Sequence, residues 1–458
     1  MRACLAFVLG SVVLAPLALA DHSSLHATAS GEVATTDNLF ATGNGGNREP
    51  DMFLTLRPGV LFAYDAPQMI HDFTGEVEIL QYVTHGDRPL INGRAGWKSL
   101  FLVGPRTQLT LSITTATGLL SAMAARSSAD DTLTSVIPSG KVEVQQADTA
   151  ESLSYISSKH TRVLQGVYGR YGFTDDGGGT TADTREAGAN LGFERNFEHD
   201  TIGLDAAVAF LQLERIAPMG ALMRSRFDQQ LNPRATLQWR HDINRKWSTT
   251  ADGGVVFVNP VGTDKYAPPG ALRRSGTFGI YGAQLAYADV WGRAVLSARR
   301  NVSPNLFLAQ NTVDDTAHLQ VALPLPWLDD TKRNPKMAVQ SSLGLERTQI
   351  IDATTGSTSG SFEVARADVA LGWTPTPGQT YGVRYEAVYQ SGDRIATMEI
   401  PSFYRNTLYV TFSLRYPERI AAQLPKRSKS LRSDRKDMMP GGGEPVVPDI
   451  LEEGQQDQ

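Results

Sequence analysis

The sequence predicts an all-β protein: an antiparallel up-and-down transmembrane β-barrel of about 18 strands, closed by a last strand near 402–416. Three observations predict it. From about Ser24 to Tyr416 the chain repeats segments of alternating apolar and polar residues, each ended by Gly, Asp, Asn, Pro or Ser, and a period of two marks a strand. Short and long connectors alternate, the habit of bacterial outer-membrane barrels. Residues 1–20 read as a secretory signal peptide, with Arg2, an apolar run from Leu5 and Ala18-Leu19-Ala20 before Asp21.

In chain order the first segments fall near 24–36, 51–64 and 70–84; in the third, Asp72, Thr74, Glu76 and Glu78 oppose Phe73, Gly75, Val77 and Ile79. Gly104-Pro105-Arg106 separates 90–103 from 107–120, and Ser158-Lys159-His160 separates 141–157 from 162–174. Glu198-His199-Asp200 then divides 185–197 from 201–214, and Ile243-Asn244-Arg245 divides 226–242 from 246–258. In segment 226–242, Leu231, Pro233, Ala235, Leu237 and Trp239 alternate with Asn232, Arg234, Thr236, Gln238 and Arg240, so one side is greasy and the other wet. Segments near 275–288, 292–303 and within 305–327 follow, the last with Leu319, Val321, Leu323, Leu325 and Trp327 on one side. Their division is set by a turn expected at Ser303-Pro304-Asn305. After 336–350 and 361–374, Pro375-Thr376-Pro377-Gly378 leads into 379–391, and Leu408, Val410, Phe412, Leu414 and Tyr416 stripe the closing segment. Several stripes end in an aromatic residue, as a membrane-interface girdle requires.

The longer connectors are expected at 37–50, 121–140, 175–184, 259–274, 351–360 and 392–401. If the first strand starts in the periplasm, these all lie outside and both termini inside, in the cell outer membrane. The segment Ser121 to Gly140 is long enough to fold inward as a plug. A soluble β-sandwich or propeller is the competing reading, but its strands run near ~5–6 residues, whereas these match or exceed the ~9–11 of a tilted spanning strand. The barrel is expected to occupy 21–417, followed by a disordered periplasmic tail over 418–458 with a basic stretch, Gly441-Gly442-Gly443 and an acidic end.

Composition narrows the function. Cys4, the chain's one cysteine, lies inside the signal, so the mature part has no disulfide, thiolate nucleophile or cysteine-ligated metal. Removing Arg2 moves the net charge from -5 to -6, which argues against a nucleic-acid partner. His22, His26, His71, His85, His160, His199, His241 and His318 fall in no catalytic motif or zinc spacing. Gly177-Gly178-Gly179 lacks the Gly-Lys-Ser/Thr ending of a phosphate loop and reads as a flexible outer loop. No enzyme activity, cofactor or metal is expected.

The wet face carries the informative residues. Expected pore-lining side chains are Arg57, Asp72, Glu76, Glu78, Arg170, Glu194 and Asp205 in the first half of the chain. Arg234, Arg240, Arg366, Asp368, Arg384, Glu386 and Arg415 continue the set. Charges of both signs require a hydrated lumen or pairing across it. The first alternative suits a conduit for neutral or weakly charged polar solutes such as saccharides; the second makes the charges structural struts.

Thr35-Thr36-Asp37-Asn38-Leu39-Phe40, the strand Met52 to Tyr64 with Asp65-Ala66-Pro67, and the turn-like Arg300-Asn301-Val302-Ser303-Pro304-Asn305 carry a family likeness. On these the chain resembles the 18-stranded outer-membrane barrels of exopolysaccharide (Wzx/Wzy-type) export clusters in myxobacteria. The resemblance implies outward passage of a polysaccharide and, through the tail, periplasmic export partners. A general or sugar-selective diffusion porin and a plugged structural or adhesive barrel remain the alternatives. The chain departs from the usual pattern in continuing beyond Tyr416, which places the insertion signal internally at Tyr409 to Tyr416.

Overall fold

The computed structural model describes residues 23–39, 48–86, 88–121, 141–218, 225–267, 273–305, 309–325, 336–352, 354–376, 378–392, 394–395, 398–399 and 402–416. The expected signal peptide, the 418–458 tail and almost all of the expected 121–140 plug lie outside these residues. The strands are β1 (Ser23–Thr36), β2 (Asp51–Ala66), β3 (Met69–Tyr82), β4 (Leu90–Gly104), β5 (Thr107–Ser121), β6 (Lys141–Ser158) and β7 (Thr161–Asp175). They continue as β8 (Thr181–Asn196), β9 (Asp200–Ile216), β10 (Arg226–Asp242), β11 (Trp247–Pro260), β12 (Gly276–Asp289), β13 (Gly292–Asn305) and β14 (Gln310–Pro324). Last come β15 (Met337–Asp352), β16 (Ser357–Thr376), β17 (Gln379–Gly392), the two-residue pair β18 (Arg394–Ile395) and β19 (Met398–Glu399), and β20 (Phe403–Tyr416).

Each long strand pairs antiparallel with its chain neighbours, and β1 pairs with both β2 and β20, so 18 strands close on themselves. The fold class expected from the sequence is the one found. Closure leaves no sheet edge around the ring except where β12 and β13 part beyond Tyr281 and Arg300. Pro58 and Pro233 sit inside strands, and the ladder on one side of each skips past them, between Leu56 and Gly59 on β2 and between Leu231 and Arg234 on β10. Losing an N–H there costs a ladder bond and not the strand.

One end of the barrel carries tight connections such as Pro67–Gln68, Pro105–Arg106 and Lys159–His160, with the connector between β14 and β15 as the long exception. The other end carries the connectors after β1, β3, β5 and the odd-numbered strands up to β17. Two connectors expected there to be long are tight. Asp176 caps its own turn by accepting N–H bonds from Gly178 and Thr180, so Gly177-Gly178-Gly179 is an ordered hairpin turn. Ser357 to Ser361, rich in turn-like residues, is strand, paired to β15 across a bulge between Gln349 and Ile350.

Outward side chains form an apolar band: Leu204 and Leu237, opposite one another on β9 and β10, are each more than half exposed, as are Leu191, Leu296 and Leu345. No second protein layer covers them among the described residues, which is the condition of a sheet solvated by lipid. Aromatic groups rim the tight-turn end, where Trp247 meets Tyr287 at 4.8 Å and Trp373 meets Tyr381 at 5.6 Å. Leu237→Arg is expected to cost about 2–4 kcal/mol in refolding into vesicles, because it puts a cation in hydrocarbon. Gln238→Arg, on the opposite side of the same strand, should cost far less; equal losses would show that the two faces do not differ.

Candidate functional site

The inward face is built from the alternate residues of the same strands. Arg57, Asp72, Arg170, Glu194, Asp205 and Arg234 alternate with exposed apolar neighbours, as do Arg240, Arg366, Asp368, Arg384, Glu386 and Arg415, while Glu76 and Glu78 alternate with the half-buried Val77 and Ile79. Register brings many of them together. Arg57 Nε lies 2.6 Å from Glu78 Oε2, and Asn92 Nδ2 donates to Glu78 Oε1 at 2.8 Å. Arg170 stands between Asp148 at 3.4 Å and Glu186 at 3.8 Å, its register partners on β6 and β8. Glu194 faces Arg162, and Asp205 faces Arg234 at 3.6 Å. The Tyr409 hydroxyl donates to Glu386 at 3.2 Å while the Arg384 guanidinium covers its ring at 4.2 Å. Ser342 donates to Asp368, and Arg240 reaches Asp242 within its own strand. Arg415 is exposed near the tight-turn end.

Apart from Arg240 with Asp242, these are pairs between neighbouring strands. A guanidinium directly opposite a carboxylate on the next strand satisfies both along the wall, and the lumen between need not be crossed.

The crossing is made elsewhere. Pairing between β12 and β13 runs from Asp289 with Gly292 to Tyr281 with Arg300 and stops, although β12 begins at Gly276 and β13 continues to Asn305. Beyond that fork β13 stays paired to β14, and β14 to β15. Val302 and Val313 occupy the same strand faces as the lipid-exposed Leu296 and Leu319, yet Val313 is fully buried. It packs with Val302 and Ile351 against Val256, Val258, Phe278 and Ile280, which point inward from β11 and β12. The ends of β13, β14 and β15 have therefore turned into the barrel, with their outer face seated on the inner wall. Each apolar side chain so buried contributes roughly 1.5–3 kcal/mol.

The tip of this inward hairpin reaches farther around the wall. Ala309, at a left-handed φ of 46°, packs against Ala182, Leu211 and Leu213 on β8 and β9. Asn311 donates to Gln230 on β10. A non-glycine residue in that region is held by its surroundings. On the hairpin's other face Asp314 accepts hydrogen bonds from Ser303 at 2.5 Å, Thr348 at 2.9 Å and Thr312 at 3.0 Å, which ties the three strands together. The expected turn at Ser303-Pro304-Asn305 is thus a strand end. Pro304 is tolerated because β13 has become an edge there, where a missing N–H leaves no ladder bond unmade.

The chain is a closed 18-stranded antiparallel β-barrel with an apolar outer band. No protein-family model matches the chain, and no curated protein matches it in sequence. Its fold is similar to the ferric-catecholate import receptor Fiu from E. coli K12, at 9% identity and a TM-score of 0.45, over 86% of this chain and 82% of that one. The FrpB iron transporter from Neisseria meningitidis gives 8% and 0.46, over 87% and 83%. OccAB3 from Acinetobacter baumannii gives 10% and 0.44, over 86% and 99%. The barrel's inward partners Asp148, Arg162 and Glu186 obey the same period of two as the residues picked from sequence and were readable in it. The alternation of β13 and β14 themselves does not show the hairpin's descent, because it is the same whichever way a sheet turns.

Proposed function

We propose that the protein is a conduit for polar solutes across the outer membrane, a diffusion porin whose bore is narrowed at the long-connector end by the inward hairpin. The observation that supports this reading most directly is the pairing of wall charges between adjacent strands. Arg57 with Glu78, and Arg170 with Asp148 and Glu186, neutralise one another locally, so the wall is hydrated without presenting one sign of charge along its length. The fourteen residues picked from sequence then line a passage for neutral or weakly charged solutes. In this reading the long connectors face outward and both barrel termini face the periplasm.

Export of a polysaccharide, the cargo the resemblance implies, asks more of the same lumen: the hairpin has to leave the bore for a polymer to thread it. Binding of periplasmic export proteins by the 418–458 tail belongs to that wider form of the proposal.

Planar-bilayer recording of the refolded barrel tests the conduit. Discrete conductance with a reversal potential near zero in a potassium chloride gradient is expected, lowered reversibly by added oligosaccharide. Silent bilayers from correctly refolded protein would leave a plugged structural barrel.

A further inference from the structure

We propose that the inner wall beside the hairpin tip is a subsite for an oxyanion, the carboxylate or phosphate of a polar solute entering from the long-connector end. The inference rests on the conduit reading and gives its solute a chemical class. Arg215 on β9 and Arg226 on β10 are register partners on the inward face, where like charges placed directly opposite are destabilising. Arg273 joins them from the connector between β11 and β12. Among the described residues, Asp228 is the carboxylate within ion-pair distance of Arg226 and Arg273: Arg226 Nη2 lies 3.3 Å from Asp228 Oδ2, and Arg273 Nη2 contacts Oδ1. Asp264, the acid of that connector, has one oxygen committed to the Phe227 and Tyr266 amides at 3.1 and 2.9 Å, and it and Asp352 favour the Arg226 charge only from beyond ion-pair distance. Burial, and after it the Arg226 charge, pulls the Arg273 guanidinium below its ordinary pKa.

Exposure fits an incoming ligand. The Asp228 side chain is 1% exposed, against 21% for Arg226 and 12% for Arg273, so the carboxylate is sealed while both arginine side chains keep some exposure. A guanidinium binds carboxylate or phosphate with two parallel N–H bonds. The inward position excludes a lipid headgroup as the source of that anion.

The site is also wired to the hairpin. Gln230 Nε2 donates to Asp228 Oδ2 at 2.8 Å, and Gln230 Oε1 accepts from Asn232 at 3.4 Å and from Asn311 on the hairpin. An anion that takes over Arg226 and Arg273 loosens Asp228, and with it the side chain that holds the tip.

The test is isothermal titration calorimetry on the whole barrel refolded in detergent, at constant ionic strength, with sodium phosphate, glucuronate and glucose as separate ligands. Saturable heat is expected from phosphate, glucuronate or both, and none from glucose. Arg273→Gln and Arg226→Gln are each expected to weaken binding at least about tenfold, while Lys265→Gln, outside the cluster, leaves it unchanged. Absence of heat with either anion, or undiminished binding in both folded arginine variants, overturns the subsite. Calorimetry needs no current, so a silent bilayer with intact binding sinks the conduit alone.

Discussion

Replacing residues 303–312 by an Asn-Gly turn that joins Val302 directly to Val313 is expected to raise single-channel conductance severalfold. Val302 and Val313 are already cross-strand partners, and a two-residue turn with left-handed character suits such a closure. The change removes Ala309 from its seat on β8 and β9 and Asn311 from Gln230, while the barrel ladder below the fork is untouched. Neutral polyethylene glycols excluded from the intact protein should enter the shortened one. Asn311→Ala, which cuts one contact and keeps the hairpin, should act in the same direction by less. Unchanged conductance from a variant with full β-structure would mean that the hairpin does not narrow the path.

The second large effect concerns the wall. Glu78→Ala is expected to destabilise the barrel by about 3–5 kcal/mol, the usual cost of leaving a buried charge without its partner. Glu78 takes Arg57 at 2.6 Å and Asn92 at 2.8 Å, and its side chain is 11% exposed against 20% for Arg57. Arg57→Met combined with Glu78→Leu removes both charges and should recover much of the loss, since apolar replacement of a whole pair is often near neutral. Urea-dependent refolding into vesicles measures both. If the double variant is no better than the single one, the pair stabilises the wall by more than mutual neutralisation.

How much of this was legible differs by element. The outward stripe of β10, Leu231 to Trp239, declares both a strand and its greasy side, because alternation encodes face directly. The identity of charge partners does not follow from one strand. Arg170 meets Asp148 and Glu186 only in the register that β6, β7 and β8 adopt, and a slip of one residue would turn all of them to lipid. The hairpin left one readable trace. Val255-Val256-Phe257-Val258 is apolar on both faces, and an unbroken apolar run in a strand signals cover on both sides. Phe257 faces outward, 41% exposed, and the hairpin supplies the second cover over Val256 and Val258. The arginine subsite drew residues from β9, β10 and a connector, each unremarkable alone, and so gave no local pattern to detect. The stretch from Ser357 to Gly360 misled because Ser, Thr and Gly read as loop, yet Thr is also a good strand former.

The pairing of β1 with β20, Ala27 against Tyr416 through Thr36 against Thr407, is the seam with the greatest sequence separation in the ring. Every other long-strand pairing in the ring is between strands consecutive around it and near in the chain, so hairpins can form one after another. The last seam joins opposite ends of the polypeptide, which carries the largest loop-closure entropy in the molecule. Until it forms, the sheet has two open edges that invite other chains. A chain lacking β20 is therefore left as an aggregation-prone open sheet, and the time before closure is when a chaperone is most needed.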